Sequence, residues 1–454
     1  MTDDLLSRRA RVLDGTSSAG AEIERSLQHA ASAAVAPAFL KIDAVGARAA
    51  ARAVDAAFSS GAPLPPLAGL AVSIKDLFDI AGQVTTAGST VLADAEPAAQ
   101  DAPAVSRLRA AGAALIGRTH MTEFAFSGIG LNPHHPTPAN VPMAALDRDT
   151  PRIPGGSSSG AAVSVAGGAA WAALGSDTGG SVRIPAALQG LVGFKNTASL
   201  TPTEGAIPLS TTLDTVSALT RSVRDAVLLH ELLSARRVAL PGRPLRATRL
   251  AVPTTLMLDA LEPAVAAAFE RAVDRLSRVG AQIVALDVPP LADLAPLQVN
   301  GGFASCESWA WHRHRLATHE EAGYDRRVVT RIRRGMAMSA ADYIDLQKAR
   351  AAWIARMHVA LRGFDAVLSP TVPILAPPIT ALEASDEEFF RVNSLLLRNP
   401  SVVNLLDGCA ISLPCQAPGE APVGLMLWSR GHADDALLDT ALAVEAVLAT
   451  GASS

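Results

Sequence analysis

A chain of 454 residues with 49% hydrophobic and 18% charged residues has enough apolar material for a large core, which argues against disorder outside its ends. A net charge of −4 gives no sign of a nucleic-acid partner. An odd, sparse set of three cysteines with no tight spacing, Cys306, Cys409 and Cys415, argues against a disulfide framework or a zinc site and fits a reducing compartment.

Residues 1–60 are alanine-rich and read as helices. The N-terminus starts acidic and lacks a basic run followed by an apolar one, so no signal peptide is expected and the predicted location is cytoplasmic. "GAPLPPLAG" (61–69) is a turn, and 70–82 opens with a strand-like run. Residues 101–125 read as a helix, a turn at Gly112, a strand and a loop, an alternation that predicts an α/β sheet. The stretch 128–158 is loop-rich, with Pro133, Pro136, Pro138, Pro142, Pro151 and Pro154; an irregular segment of that length within a compact domain is usually functional. "GAAVSVAGGAAWAALG" (160–175) carries no charge but falls short of the roughly 18–20 residues of a membrane span, and reads as a small-residue helix buried in a core. Amphipathic helices are predicted at 225–236 and 263–279, strands at 280–288 and 364–374, and a last helix at 434–450. No repeat divides the chain.

Three segments carry chemistry. "GSSSG" (156–160) matches G-x-S-x-G, the nucleophile elbow of α/β-hydrolases, which would make Ser158 the nucleophile. That reading needs a strand before the elbow, where "LDRDTPRIPGG" is polar and Pro-rich, and a base such as His230 or His432, neither in a telling context. A phosphate loop would need a Gly-Lys-Ser/Thr ending, which is missing. Lys75 follows an apolar run in "AVSIKDLFDIAG", and Ser181 closes "GSDTGGS". Each has a plain alternative: a solvated lysine at a strand end, and Gly-Ser turns. Together they suggest more. A serine needs a base, and a lysine kept neutral by burial can serve. Asp76 need not face Lys75, because side chains alternate along a strand. A Gly-Gly turn can aim backbone N–H groups at an oxyanion.

In this order and context the segments resemble the amidase signature family of serine amidohydrolases. "AGLAVSIKDLFDIAG", "GAALIGRTHMTEFAFSGIGLNPHH", "IPGGSSSGAAVSVAGG", "ALGSDTGGSVRIPAALQGLVGFK", "PLSTTLDTVSALTRSVRDA" and "PVGLMLWSRGHADDALLDTALAVE" carry the resemblance, while about 240–400 matches loosely. It implies a three-layer α/β/α fold around a mixed sheet and a single domain over 1–454, with a catalytic core at about 60–230 and 400–450 and a variable lobe at about 240–400. It implies a Ser–cisSer–Lys triad: Ser181 as nucleophile, Ser157 after a cis peptide bond as proton relay, and Lys75 as base. Thr178, Gly179, Gly180 and Ser181 would offer oxyanion N–H groups. Asp177 and Arg183 would pair to brace the loop, and Ser158 would be structural. The reaction implied is hydrolysis of a small amide or urea-type substrate through an acyl-enzyme, with no metal or cofactor.

"FAFSGIGLNPHH" looks like the stand-alone branch that includes carboxybiuret- and allophanate-type hydrolases. The alternative within the family is the glutamine-hydrolysing component of a tRNA-dependent amidotransferase, although the chain lacks a long basic tail for tRNA. The expected partners are a small-molecule amide and a second copy of the chain, or a small accessory subunit; no nucleic acid or membrane is expected. The sequence "HPTPANVPMAALDRD" after "LNPH" departs from many family members and leaves the substrate entrance undefined. "WAWHRHR" (309–315) and "RRVVTRIRRG" (326–335) could bind a substrate carboxylate, but read first as solvated helix faces.

Overall fold

The computed structural model describes residues 3–299 and 301–450. The single-domain expectation over 1–454 also takes in residues 1, 2, 300 and 451–454, which lie outside these. Among the described residues, eleven strands form one sheet in the order β1-β3-β2-β4-β6-β5-β10-β11-β9-β7-β8. They are β1 Phe39–Ile42, β2 Ala71–Lys75, β3 Ala114–Thr119, β4 Ala172–Ser176, β5 Val192–Lys195 and β6 Val216–Thr220. The rest are β7 Arg249–Pro253, β8 Gln282–Leu286, β9 Ala366–Pro370, β10 Cys409–Pro414 and β11 Gly424–Ser429. The sheet is mixed: β2 runs parallel to β3 and β4, β7 parallel to β8 and β9, and the pairs from β4 through to β9 are antiparallel.

Strands β2, β3 and β4 are buried at every position, as strands covered on both faces should be. The two covering layers can be read from alternation along β10 and β11. Ile411, Leu413, Leu425 and Leu427 join the core under the Val223–Ser234, Pro263–Arg278 and Asp434–Thr450 helices. Ala410, Met426 and Trp428 face the opposite core, with Trp353 and Val402 of the Ala340–Ala360 and Asp386–Leu406 helices. This is the expected three-layer α/β/α architecture.

Three differences from the sequence reading matter. The helix expected over 160–175 ends early: Ser159–Ala166 is helical, Gly167 and Gly168 stop it, and Ala172–Ser176 is strand β4. Gly168 has φ +81°, a left-handed conformation that ends the helix and turns the chain into the sheet. The small side chains have a packing reason, because a Cβ on Gly160 would lie 2.2 Å from the Ala38 carbonyl oxygen. Within the helical 1–60 region, the short strand β1 pairs antiparallel with β3. Finally, 240–400 supplies β7, β8 and β9 to the same sheet that carries the serine segments.

Candidate active site

The site grows from the end of β2. Lys75 is its last residue, completely buried, and its Nζ donates to Ser157 Oγ at 2.7 Å and to Ser176 Oγ at 2.8 Å. Burial lowers the ammonium's pKa from 10.5 to about 7, against the opposing pull of Asp214 and Asp177. The neighbouring Asp76 turns away: it pairs with Arg118 at 3.1 Å and accepts the Gly88 N–H at 3.0 Å. Alternation along the strand thus keeps a carboxylate off the lysine.

Ser157 opens the triple serine, and the Gly156–Ser157 peptide bond is cis. The loop after β3 grips this stretch from both sides, with Thr122 N–H donating to Ser157 O at 3.1 Å and Gly156 N–H to Gly128 O at 2.8 Å. Ser158 N–H donates to Ser181 O at 3.3 Å, which stitches the triple serine to the 177–183 turn. Ser158 Oγ donates to Ser176 O at 3.4 Å and has no histidine partner among the described residues. His230, the base considered for an elbow, sits instead against Phe194 and Arg236.

The 177–183 turn is wound around one carboxylate. Asp177 accepts the N–H groups of Gly180, Val182 and Arg183 at 2.9, 3.2 and 3.4 Å. It also pairs with the Arg183 guanidinium at 2.9 Å, both side chains being inaccessible to solvent. Asn404 completes the brace: its Oδ1 accepts from Arg183 at 2.7 Å, and its Nδ2 donates to Asp177 Oδ1 at 2.9 Å. Burial alone would raise the Asp177 carboxyl, but Arg183, Lys195 and Asn404 outweigh it and hold it well below the usual carboxylate range. This corrects the oxyanion expectation. The Gly180 N–H is taken by Asp177, whereas those of Thr178, Gly179 and Ser181 have no acceptor among the described residues. Gly180 serves geometry instead: at φ +125°, a Cβ there would lie 2.6 Å from Pro400 Cβ.

Several residues around the site escape the sequence reading. Ser176 directly precedes Asp177, yet no motif singles it out. Asp214 accepts the Thr178 hydroxyl at 2.6 Å, and burial raises its carboxyl to about 6. Asn404 lies in the last turn of the Asp386–Leu406 helix, and no spacing links it to Arg183. Arg331 belongs to the basic segment read as a solvated face. Its Nη1 donates to the Phe126 carbonyl and its guanidinium lies 4.5 Å from the Phe126 ring centre. Burial lowers its pKa to about 10, and no carboxylate pairs with it among the described residues. Among those residues, no group of three or more His, Cys, Asp or Glu could hold a metal ion, and no helix is long and apolar enough to cross a membrane.

Known proteins share this arrangement of the chain. A 2-amino-5-chloromuconic acid deaminase of Comamonas testosteroni is 38% identical over 419 residues, 90% of this chain and 88% of that protein. A component of the glutamyl-tRNA(Gln) amidotransferase of Salinispora arenicola is 34% identical over 90% of each chain. A solved Kluyveromyces lactis allophanate hydrolase superposes with a TM-score of 0.83 at 26% identity, over 96% of this chain and 72% of that one. The family model described as Amidase matches residues 22–438, and the chain, a hydrolase of amide C–N bonds, belongs to that family.

Proposed function

We propose that the chain hydrolyses small linear amides by itself through an acyl-enzyme on Ser181. The observation that carries the reading is the 2.7 Å contact between Ser157 Oγ and a fully buried Lys75 Nζ whose pKa lies near 7. A lysine that is half neutral at physiological pH can accept a proton from a serine. Ser181 Oγ attacks the carbonyl carbon, its proton moves to Ser157, and the Ser157 proton moves to Lys75. The N–H groups of Thr178, Gly179 and Ser181 receive the oxyanion. Return of the proton to the leaving nitrogen releases ammonia or an amine, and water attacking by the same path frees the acid. Asp177 and Arg183 hold the turn in shape and take no proton.

Arg331 supports a finer reading of the substrate. A partly buried guanidinium, stacked on an aromatic ring and free of a carboxylate partner among the described residues, is a poor stability element and a good receptor for a substrate carboxylate. The loop that holds Phe126 also holds Gly156, so this cation contacts the loop that supports the triple serine. An amide whose acyl part carries an acid fits it, and the name of the chloromuconic acid deaminase relative, which acts on an acid, agrees with the acid part. The amidotransferase relative supports a second reading, in which glutamine is hydrolysed only with partner subunits present. A cytoplasmic site of action belongs to the same proposal.

The test is ammonia release from a panel of neutral and carboxylate-bearing amides, together with labelling by a fluorophosphonate. Ser181→Ala is expected to lose both turnover and label; full activity in that variant would overturn the assignment. Glutaminase activity appearing only on addition of partner subunits would select the second reading.

A further inference from the structure

Beyond the serine segments lies a second polar cluster that the triad does not use. Glu307, in the Gly302–Leu316 helix, collects donors from two other elements. Its carboxylate accepts the Ser210 hydroxyl at 2.6 Å, the Thr212 N–H at 3.0 Å, the Thr211 hydroxyl at 3.3 Å, and the Thr212 hydroxyl. The Tyr343 hydroxyl, from the Ala340–Ala360 helix, donates to it at 2.6 Å. The loop so held then closes on Asp214. Ser210 N–H donates to Asp214 at 3.1 Å and Leu209 N–H at 3.0 Å. Ser210 therefore joins both carboxylates, its hydroxyl to Glu307 and its N–H to Asp214. Asp214 in turn accepts the hydroxyl of Thr178, one of the three residues whose N–H groups stand free beside Ser181.

We propose that Glu307 is a positioning residue for amide hydrolysis: it clamps the 210–212 loop, which fixes Asp214, which sets the Thr178 end of the oxyanion turn. The proposal rests on the Ser181 reading above and extends it into the 240–400 region, which matches the family's segments only loosely. The physical reason is preorganisation. An oxyanion donor is useful only if it is already aimed before charge develops, and its aim depends on what holds the turn. Asp177 and Arg183 hold the turn from Gly180 onward; the Glu307 clamp holds the Thr178 end.

The experiment measures phosphonylation of Ser181 by a fluorophosphonate, followed by mass spectrometry, as a maximal rate and a half-saturating concentration. Glu307→Gln keeps the shape but weakens acceptance from hydroxyls and the N–H. It is expected to lower the maximal rate about tenfold and leave half-saturation within about twofold, because a misaimed donor costs transition-state binding alone. Thr178→Val, which removes the hydroxyl at the far end, should give a similar loss. The double variant should be no slower than either single one, since both break one chain of contacts. Multiplicative losses of about a hundredfold, or a wild-type rate in Glu307→Gln, would overturn the clamp. If Glu307→Gln does not fold, Tyr343→Phe takes its place: a loss of about threefold that disappears in the Thr178→Val background supports the proposal, and an unchanged rate overturns it. Wild-type protein that takes no label at Ser181 would overturn the Ser181 reading and the clamp together. Labelled wild type with an unaffected Glu307→Gln overturns the clamp alone.

Discussion

Two strand ends in this sheet finish in a buried lysine, and they do different things. Lys75 closes β2 and Lys195 closes β5, with relative exposures of 0% and 1%. Burial lowers both, Lys75 to about 7 and Lys195 to about 8. The difference lies in what each ammonium touches. Lys75 donates to two hydroxyls, Ser157 and Ser176. Lys195 donates to two carbonyls, Asn196 O at 3.0 Å and Gly408 O at 2.7 Å. A hydroxyl can give a proton back; a carbonyl cannot. A perturbed pKa therefore marks a functional site only when the partner can exchange protons.

The largest effect should come from breaking the first of these ends. Lys75→Met keeps an unbranched chain in the cavity and removes the base. Loss of general-base catalysis of a serine attack should lower kcat/KM by about 1,000-fold or more, while the melting temperature falls little or rises, because an expensive buried cation is gone. Steady-state rates and thermal unfolding on the same preparation check this. A variant with most of its activity would put Lys75 in the same class as Lys195.

The next effect needs no mutation. The base must be neutral, and a group with pKa near 7 becomes neutral as the pH rises. The predicted limb of kcat/KM therefore ascends, bending near pH 7, with about a tenfold loss per unit below it. Asp214, raised by burial to about 6, is ionised over the upper part of this range, and its charge helps keep the proton on Lys75 once it arrives. A flat profile between pH 5 and 9 would show that Lys75 does not titrate in turnover.

The contrast also explains which parts were legible beforehand. Local patterning revealed strands β2, β3, β8 and β9 and the serine turns, whereas β4 was read as part of a helix because its small residues continue the run before it. Lys75, Ser157 and Ser181 stood out by resemblance, and alternation left Asp76 free to face away from Lys75, where it pairs with Arg118. The Gly180 N–H was misassigned because chain order cannot show that Asp177 folds back three residues to take it. Arg331 read as solvated because it sits in one basic run with Arg326, Arg327, Arg333 and Arg334; only the packing of its helix on Phe126 separates it from the exposed Arg326, Arg333 and Arg334. Asn404, Asp214 and Glu307 act at separations of 36 to 227 residues, beyond any local pattern.

The smallest effect on rate is expected at the second strand end. Lys195→Met leaves the Asn196 and Gly408 carbonyls without their donor, and each sits where little water can replace it. An unsatisfied buried acceptor costs about 1–3 kcal/mol, set against relief from burying the ammonium, so a net loss of about 2 kcal/mol in unfolding free energy is the expectation. Lys195 also helps keep Asp177 ionised, although Arg183 does more, as it stands closer and donates directly. The turn should then survive, and kcat/KM at a temperature where the protein is folded should change by no more than about threefold. Denaturant unfolding beside rate measurements separates the two. A large loss of rate with unchanged stability would mean that Lys195 reaches the chemistry through Asp177, and that the two lysines differ in distance from the reaction rather than in kind.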